Sequence, residues 1–167
     1  MTYHPINHRR HSIRLPEYDY AHAGAYFVTI CTHNRECLFS KRRHEPGNLN
    51  SAGDMLHSWY TRLEENFPAT QCDSFIAMPN HVHFIIFILD EKPKPELFTL
   101  VQWFKTMTTN KYIQGVRELS WKPFCKKLWQ RGYYERIIRN ENELLNTREY
   151  ILANPHNWCV DPYNDSL

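Results

Sequence analysis

The run HVHFIIFIL, His81 to Leu89, leaves the fewest options for how this chain folds. Side chains alternate faces along a strand, yet beyond His83 both faces are apolar, so the segment belongs inside a sheet, with helices covering one side. Residues i and i+2 point the same way, about 7 Å apart along the backbone. His81 and His83 therefore leave the sheet together. Such a pair suits three roles: metal ligands, a general-base pair, or polar residues hydrogen-bonded to neighbours. Neutral imidazoles suit divalent transition ions, but two ligands rarely complete a site, so a third must come from elsewhere.

The surrounding pattern supplies the rest of the sheet. AYFVTICTH, from Ala25, is β-branched and alternating, and reads as a strand; SFIAM before Pro79-Asn80 reads as another, paired with the histidine strand as an antiparallel hairpin. From Ser51, Met55, Leu56, Trp59, Tyr60 and Leu63 recur at helical spacing until Pro68. A second helix is expected from Leu97 to about Arg117, with Leu100, Val101, Phe104 and Met107 inward and Lys105, Thr106, Thr108, Thr109 and Lys111 on the other face. LWQRGYYERIIR suggests one strand or two short ones, with Gly132 at a bend or bulge. The last helix starts where Asn140 can cap it, with Glu143 in a capping-box-like position, and stops near Asn154 because of Pro155. The order β-α-β-β-α-β-α describes an α+β domain.

At 167 residues the chain is one domain's length. We divide it into a basic N-terminal arm, 1–24, holding Arg9, Arg10 and Arg14, and a single domain, 25–167. An apolar content of 42%, with 14% aromatic, excludes a disordered chain. No apolar run approaches the roughly 20 residues of a membrane helix, and the first residues lack a signal peptide's apolar stretch, so a cytoplasmic protein is expected. Five scattered cysteines with no CxxC pair read as reduced thiols. Net charge is only +2, but from Trp121 to Arg139 the residues Lys122, Lys126, Lys127, Arg131, Arg136 and Arg139 face Glu135 alone, a local cationic patch.

In REYILANP, Tyr150 and Asn154 are four residues apart, on one helix face. The Asn154 amide oxygen is a candidate third ligand that would hold Tyr150 beside an ion. Two imidazoles and a neutral amide leave the ion's charge uncompensated, which favours a phosphodiester's anionic oxygens. Tyrosine, with an ordinary pKa of about 10, needs such a cation to act as a nucleophile. From spacing alone, a packing residue with a hydrogen-bonded hydroxyl is the favoured reading of Tyr150.

Four stretches, RLPEYDYAHAGAYFVTICTHNRECLF, MPNHVHFI, WQRGYYERIIRNENEL and YILANP, occur in this order over nearly the whole chain. In them the sequence resembles the single-tyrosine HUH transposases (transposase IS200-like), and within these the REP-associated tyrosine transposases. The resemblance implies a ferredoxin-like (RRM-like) antiparallel sheet with helices packed on one face. It assigns His81, His83 and Asn154 as ligands of Mg²⁺ or Mn²⁺ and Tyr150 as the nucleophile. It further implies a bacterial, nucleoid-associated enzyme acting on single-stranded DNA near palindromic hairpins, as a monomer or a homodimer. Tyrosine attack would give a 5′-phosphotyrosine and a free 3′-OH, and a second 3′-OH would rejoin the strands.

For DNA contact the candidates are Lys105, Lys111, Trp129, Gln130, Arg131, Tyr133, Tyr134 and Arg136, since aromatic stacking combined with phosphate neutralisation is the usual way to bind single strands. Trp129 equally fits a core aromatic. Tyr133 and Tyr134 are rival nucleophiles that lack an amide at helical spacing. Two other readings stay open: a non-catalytic RRM-like nucleic-acid-binding module, and a metal-dependent phosphodiesterase using activated water.

Overall fold

A computed structural model describes residues 23–42 and 46–164 of the chain, so all but the last two residues of the N-terminal arm, Arg9, Arg10 and Arg14 included, lie outside the described residues. Four antiparallel strands are present, β1 (Gly24–Cys31), β2 (Thr70–Met78), β3 (His81–Ile88) and β4 (Tyr134–Ile138), in the order β2-β3-β1-β4. Three helices connect and follow them: α1 (Ser51–Asn66), α2 (Leu97–Glu118) and α3 (Glu141–Ala153). The histidine strand is central, as its two apolar faces require.

Alternation sorts the sheet into two faces. Tyr26, Val28 and Ile30 of β1 and Val82, Phe84 and Ile86 of β3 enter the larger core. Leu56, Tyr60 and Leu63 of α1 and Leu100, Val101 and Phe104 of α2 cover them there. Ala25, Phe27 and Ile85 face the other way and meet Ile151 of α3 in a smaller apolar cluster with Ile138. The expectation of helices on one face thus describes α1 and α2, while α3 lies across the opposite face, the one that carries the histidines.

Specific side chains seat α3. Asn140 caps it by accepting the Glu143 N–H at 2.9 Å, and the Glu143 carboxylate accepts the Arg139 N–H at 2.9 Å. Arg148 makes a two-pronged ion pair with Asp73, its Nε and Nη2 donating at 2.9 and 2.5 Å. Asp73 lies where the β2–β3 register shifts between Cys72 and Phe75, so the bulge turns this carboxylate toward the helix. On the opposite edge, Arg136 of β4 donates to the Thr147 hydroxyl at 3.0 Å. The helix is therefore fastened to both edges of the sheet.

The LWQRGYYERIIR segment forms two short pieces: a bridge from Trp129 to Thr32, then β4 after a bend. Lys105 and Thr108 do not sit on an outward face of α2. Both are buried, because the helix packs with that side beneath the segment. The Lys105 ammonium donates to the carbonyls of Gln130, Arg131 and Gly132 at 2.6, 3.2 and 3.3 Å. Thr108 accepts the Trp129 indole N–H at 2.9 Å, and the indole packs on Phe39 and Phe104. Trp129 is a core aromatic, and Lys105 a clamp on the loop.

Candidate active site

Strand register assembles the site. Ile76, His83, Thr29 and Tyr134 are paired neighbours across all four strands, with His81 opposite Cys31 at the end of β1. On this face the His83 ring stacks on Phe27 at 5.4 Å, and Tyr150 meets both rings edge-on, 5.9 Å from Phe27 and 5.4 Å from His83. Thr147, Tyr150, Ile151 and Asn154 form one stripe of α3. Burying Ile151 against the sheet brings Tyr150 to the histidines, and Tyr150 remains 43% exposed.

Each imidazole is held from behind. Asn80 donates its Nδ2 to the carbonyls of Arg35 and Tyr163, which leaves Oδ1 as the acceptor facing His81 Nδ1 at 2.8 Å. That nitrogen carries the proton, so His81 Nε2 presents a lone pair. His83 Nδ1 is hydrogen-bonded to the Thr29 hydroxyl at 2.7 Å. The two Nε2 atoms lie 3.0 Å apart. Nitrogens occupying adjacent positions of an octahedral ion at about 2.1 Å sit about 3 Å from each other, so the pair has the separation one divalent ion requires.

Burial favours the neutral form of both rings, the state in which an imidazole can bind a metal ion. It pushes His83 down to about 3 and, with the charges of His83 and Arg35, holds His81 well below its usual range. Asn154 is 2% exposed and its Oδ1 has no hydrogen-bond partner among the described residues. A buried carbonyl oxygen left this way is suited to a cation. The donor set fits a divalent ion. Burial also raises the Tyr150 phenol, with the Asn154 amide acting in the opposite sense.

Beyond the helix, a short strap returns over the histidines. Trp158 stacks on His81 at 5.9 Å, and Tyr163 lies 4.9 Å from the same ring. Asp161, buried between them, places Oδ2 3.9 Å from His81 Nε2. Next to it opens a cleft of about 410 Å³ lined by Phe27, Thr29, His83, Tyr134, Arg136, Asn146, Thr147, Tyr150, Pro162 and Tyr163.

The chain has counterparts elsewhere. The family model for IS200-like transposases matches residues 21–154. This chain belongs to the IS200-like transposase family. An uncharacterized protein of Haemophilus influenzae is 37% identical over 168 residues, with 93% of each chain covered. A second H. influenzae protein, provisionally described as a REP-associated tyrosine transposase, is 23% identical over 140 residues, covering 82% of this chain and 73% of the relative. Among solved structures, a REP-associated tyrosine transposase bound to a REP hairpin superposes with a TM-score of 0.55 at 21% identity, covering 81% of this chain and 69% of that one. The α+β antiparallel fold expected from the residues is thus shared with that structure.

Of the residues expected at the site of this IS200-like transposase, His81, His83 and Tyr150 lie together, and Asn154 sits one helical turn beyond Tyr150. Tyr134 and Arg136 line the cleft. Arg131 is exposed, Gln130 and Tyr133 are half-buried, and Lys111 is half-buried with its ammonium on Gln114 at 2.9 Å. The cationic patch is anchored at its start by Trp121, whose ring lies where a Cβ on Gly115 would come within 2.2 Å. Thr29, Asn80, Asp161 and Tyr163 escaped the sequence reading. Only Asn80, adjacent to the histidine motif, carried a local signal. No helix among the described residues is long and apolar enough to cross a membrane.

Proposed function

We propose that this IS200-like transposase is of the REP-associated type: it cleaves and rejoins single-stranded DNA beside palindromic hairpins, using Tyr150 as the nucleophile. The observation that supports this best is the approach of Tyr150 to His83 at the mouth of an open cleft. Superposition on a relative whose structure holds a REP hairpin supports the fold that such a substrate needs. Mg²⁺ or Mn²⁺ would be held by His81, His83 and Asn154, and when bound supplies the positive charge that polarises the scissile phosphate and favours the phenolate.

The chain's own residues then divide the work. Thr29 and Asn80 fix the two rings, and neutrality leaves their lone pairs available for ligation. Asn154, one turn after Tyr150, ties the position of the nucleophile to that of the ligands. Phenolate attack on phosphorus displaces the 3′ oxygen as the leaving group, and the phosphotyrosine formed keeps the energy of the broken bond. A 3′-OH attacking that linkage restores a phosphodiester and frees the phenol, so rejoining needs no external energy. Arg136 and Tyr134, on the cleft wall, are placed to contact a phosphate and a base. Arg131 and the lysines of the patch extend this surface.

Incubation of the protein with Mn²⁺ and a hairpin oligonucleotide bearing single-stranded flanks tests the reading. A denaturation-resistant protein–DNA adduct that is lost in Tyr150→Phe is expected. Tight binding without an adduct would favour a non-catalytic module, and cleavage surviving Tyr150→Phe would favour hydrolysis by activated water.

A further inference from the structure

The strap after α3 adds a group that the two imidazoles and the amide lack, an anionic oxygen. We infer that Asp161 is a protein ligand of the same divalent ion, so that the site is completed from the sheet, the tyrosine helix and the C-terminal strap together. This rests on the metal reading above. Single donor atoms of His81, His83 and Asp161 all lie within 4.8 Å of one another, and among the described residues this is the one such group of histidine, cysteine and carboxylate side chains. Donors at about 2.1 Å from one ion span at most about 4.2 Å, so a shift of roughly half an ångström brings all three onto it.

The strap is built to hold this carboxylate in place. Its Oδ1 accepts the Tyr163 N–H at 2.7 Å, leaving Oδ2 as the atom turned to His81. At 3.9 Å, Oδ2 is too far to hydrogen-bond Nε2, so no direct contact explains why a buried carboxylate faces that nitrogen. Asn80 joins the two elements, accepting from His81 with Oδ1 and donating from Nδ2 to the Tyr163 carbonyl. Arg35 donates to the Pro162 carbonyl at 3.0 Å, and Asn164 to that of Trp158 at 2.9 Å. Strap and ligand ring are thus oriented by one residue. With one carboxylate, the loaded site keeps a single net positive charge, which one phosphodiester neutralises.

Mn²⁺ titration of the full chain without DNA, read by electron paramagnetic resonance of the free ion, decides the matter, with circular dichroism to verify folding. Asp161→Asn preserves shape and the acceptor for Tyr163 while removing the charge. Its Mn²⁺ affinity is expected to fall at least about tenfold, the loss typical of removing a group that supports a metal site. Asp161→Ala should fall at least as far. Wild-type affinity in Asp161→Asn overturns the inference, and if His83→Ala abolishes binding in the same experiment, the histidine site survives without it. Absence of Mn²⁺ binding by the wild-type chain overturns both.

Discussion

Tyr150 stands with its ring centroid 5.4 Å from that of His83, at an interplanar angle of 64°, although 67 positions of sequence separate them. The meeting depends on α3 lying across the sheet face from which the histidines project. Replacing the phenol with a phenyl keeps that packing and removes the hydroxyl proposed as the nucleophile. Tyr150→Phe should therefore retain the fold and Mn²⁺ binding while adduct formation drops by at least ~10³-fold. Tyr134→Phe and Tyr163→Phe, whose rings line the same cleft, should still form the adduct. An adduct persisting in Tyr150→Phe but lost in either of the others would reassign the nucleophile.

Arg148 and Asp73 hold the tyrosine helix to the edge strand. Arg148 draws the Asp73 carboxyl below its usual range. The pair is partly exposed, so Arg148→Gln should cost only about 1 kcal/mol of global stability. Its larger consequence is positional. Adduct formation should fall about tenfold or more, because a displacement of the order of 1 Å in the proposed nucleophile is costly. Chemical denaturation and single-turnover kinetics on the same variant measure the two effects; an unchanged rate would show that Ile151 and Arg136 suffice to seat the helix.

The buried histidines make the metal-free protein sensitive to mild acid. Folded His83 titrates near 3 and His81 well below its usual range, whereas both take up protons below about 6.5 when unfolded. The unfolded state then binds more protons, so stability is full above about pH 6.5 and declines as pH falls toward the folded values. In the presence of a chelator, denaturant melts should lose up to about 1.4 kcal/mol per pH unit for each ring between pH 6.5 and 5. A flat profile across that window would contradict the burial of the pair.

Trp129 and Lys105 are interior residues, so their loss should register in folding before DNA binding. Trp129→Ala is expected to cost ~3–5 kcal/mol, as large aromatic truncations in a core do. Trp129→Phe, which keeps most of the packing with Phe39 and Phe104, should bind a single-stranded oligonucleotide with wild-type affinity. Lys105→Met should accelerate amide exchange in the 130–132 loop, because three carbonyls lose their donor. By contrast, Arg131→Ala on the exposed surface should weaken oligonucleotide binding and lower its salt dependence, with stability unchanged. Weaker binding by Trp129→Phe at full stability would return that ring to the DNA surface.

Local pattern carried much of this protein. The apolar faces of β3 placed it centrally, the two-residue period put His81 and His83 side by side, and the four-residue spacing joined Tyr150 to Asn154 on one stripe. Asn140 and Pro155 bounded α3 to within a residue. These relations lie within single elements, where backbone geometry dictates which side chains are neighbours. Lys105, Thr108 and Trp129 were harder to place, since α2 is polar on a side that nonetheless packs beneath the WQRG segment. There the ammonium and the hydroxyl are buried with hydrogen-bond partners, which offset the cost that would otherwise keep such groups at the surface. The position of α3 on the histidine face, the bulge that turns Asp73 to Arg148, and the return of Asp161 over His81 likewise had no periodic signature. Each arises from packing between segments far apart along the chain, and a contact of that kind exists only once the intervening chain has folded.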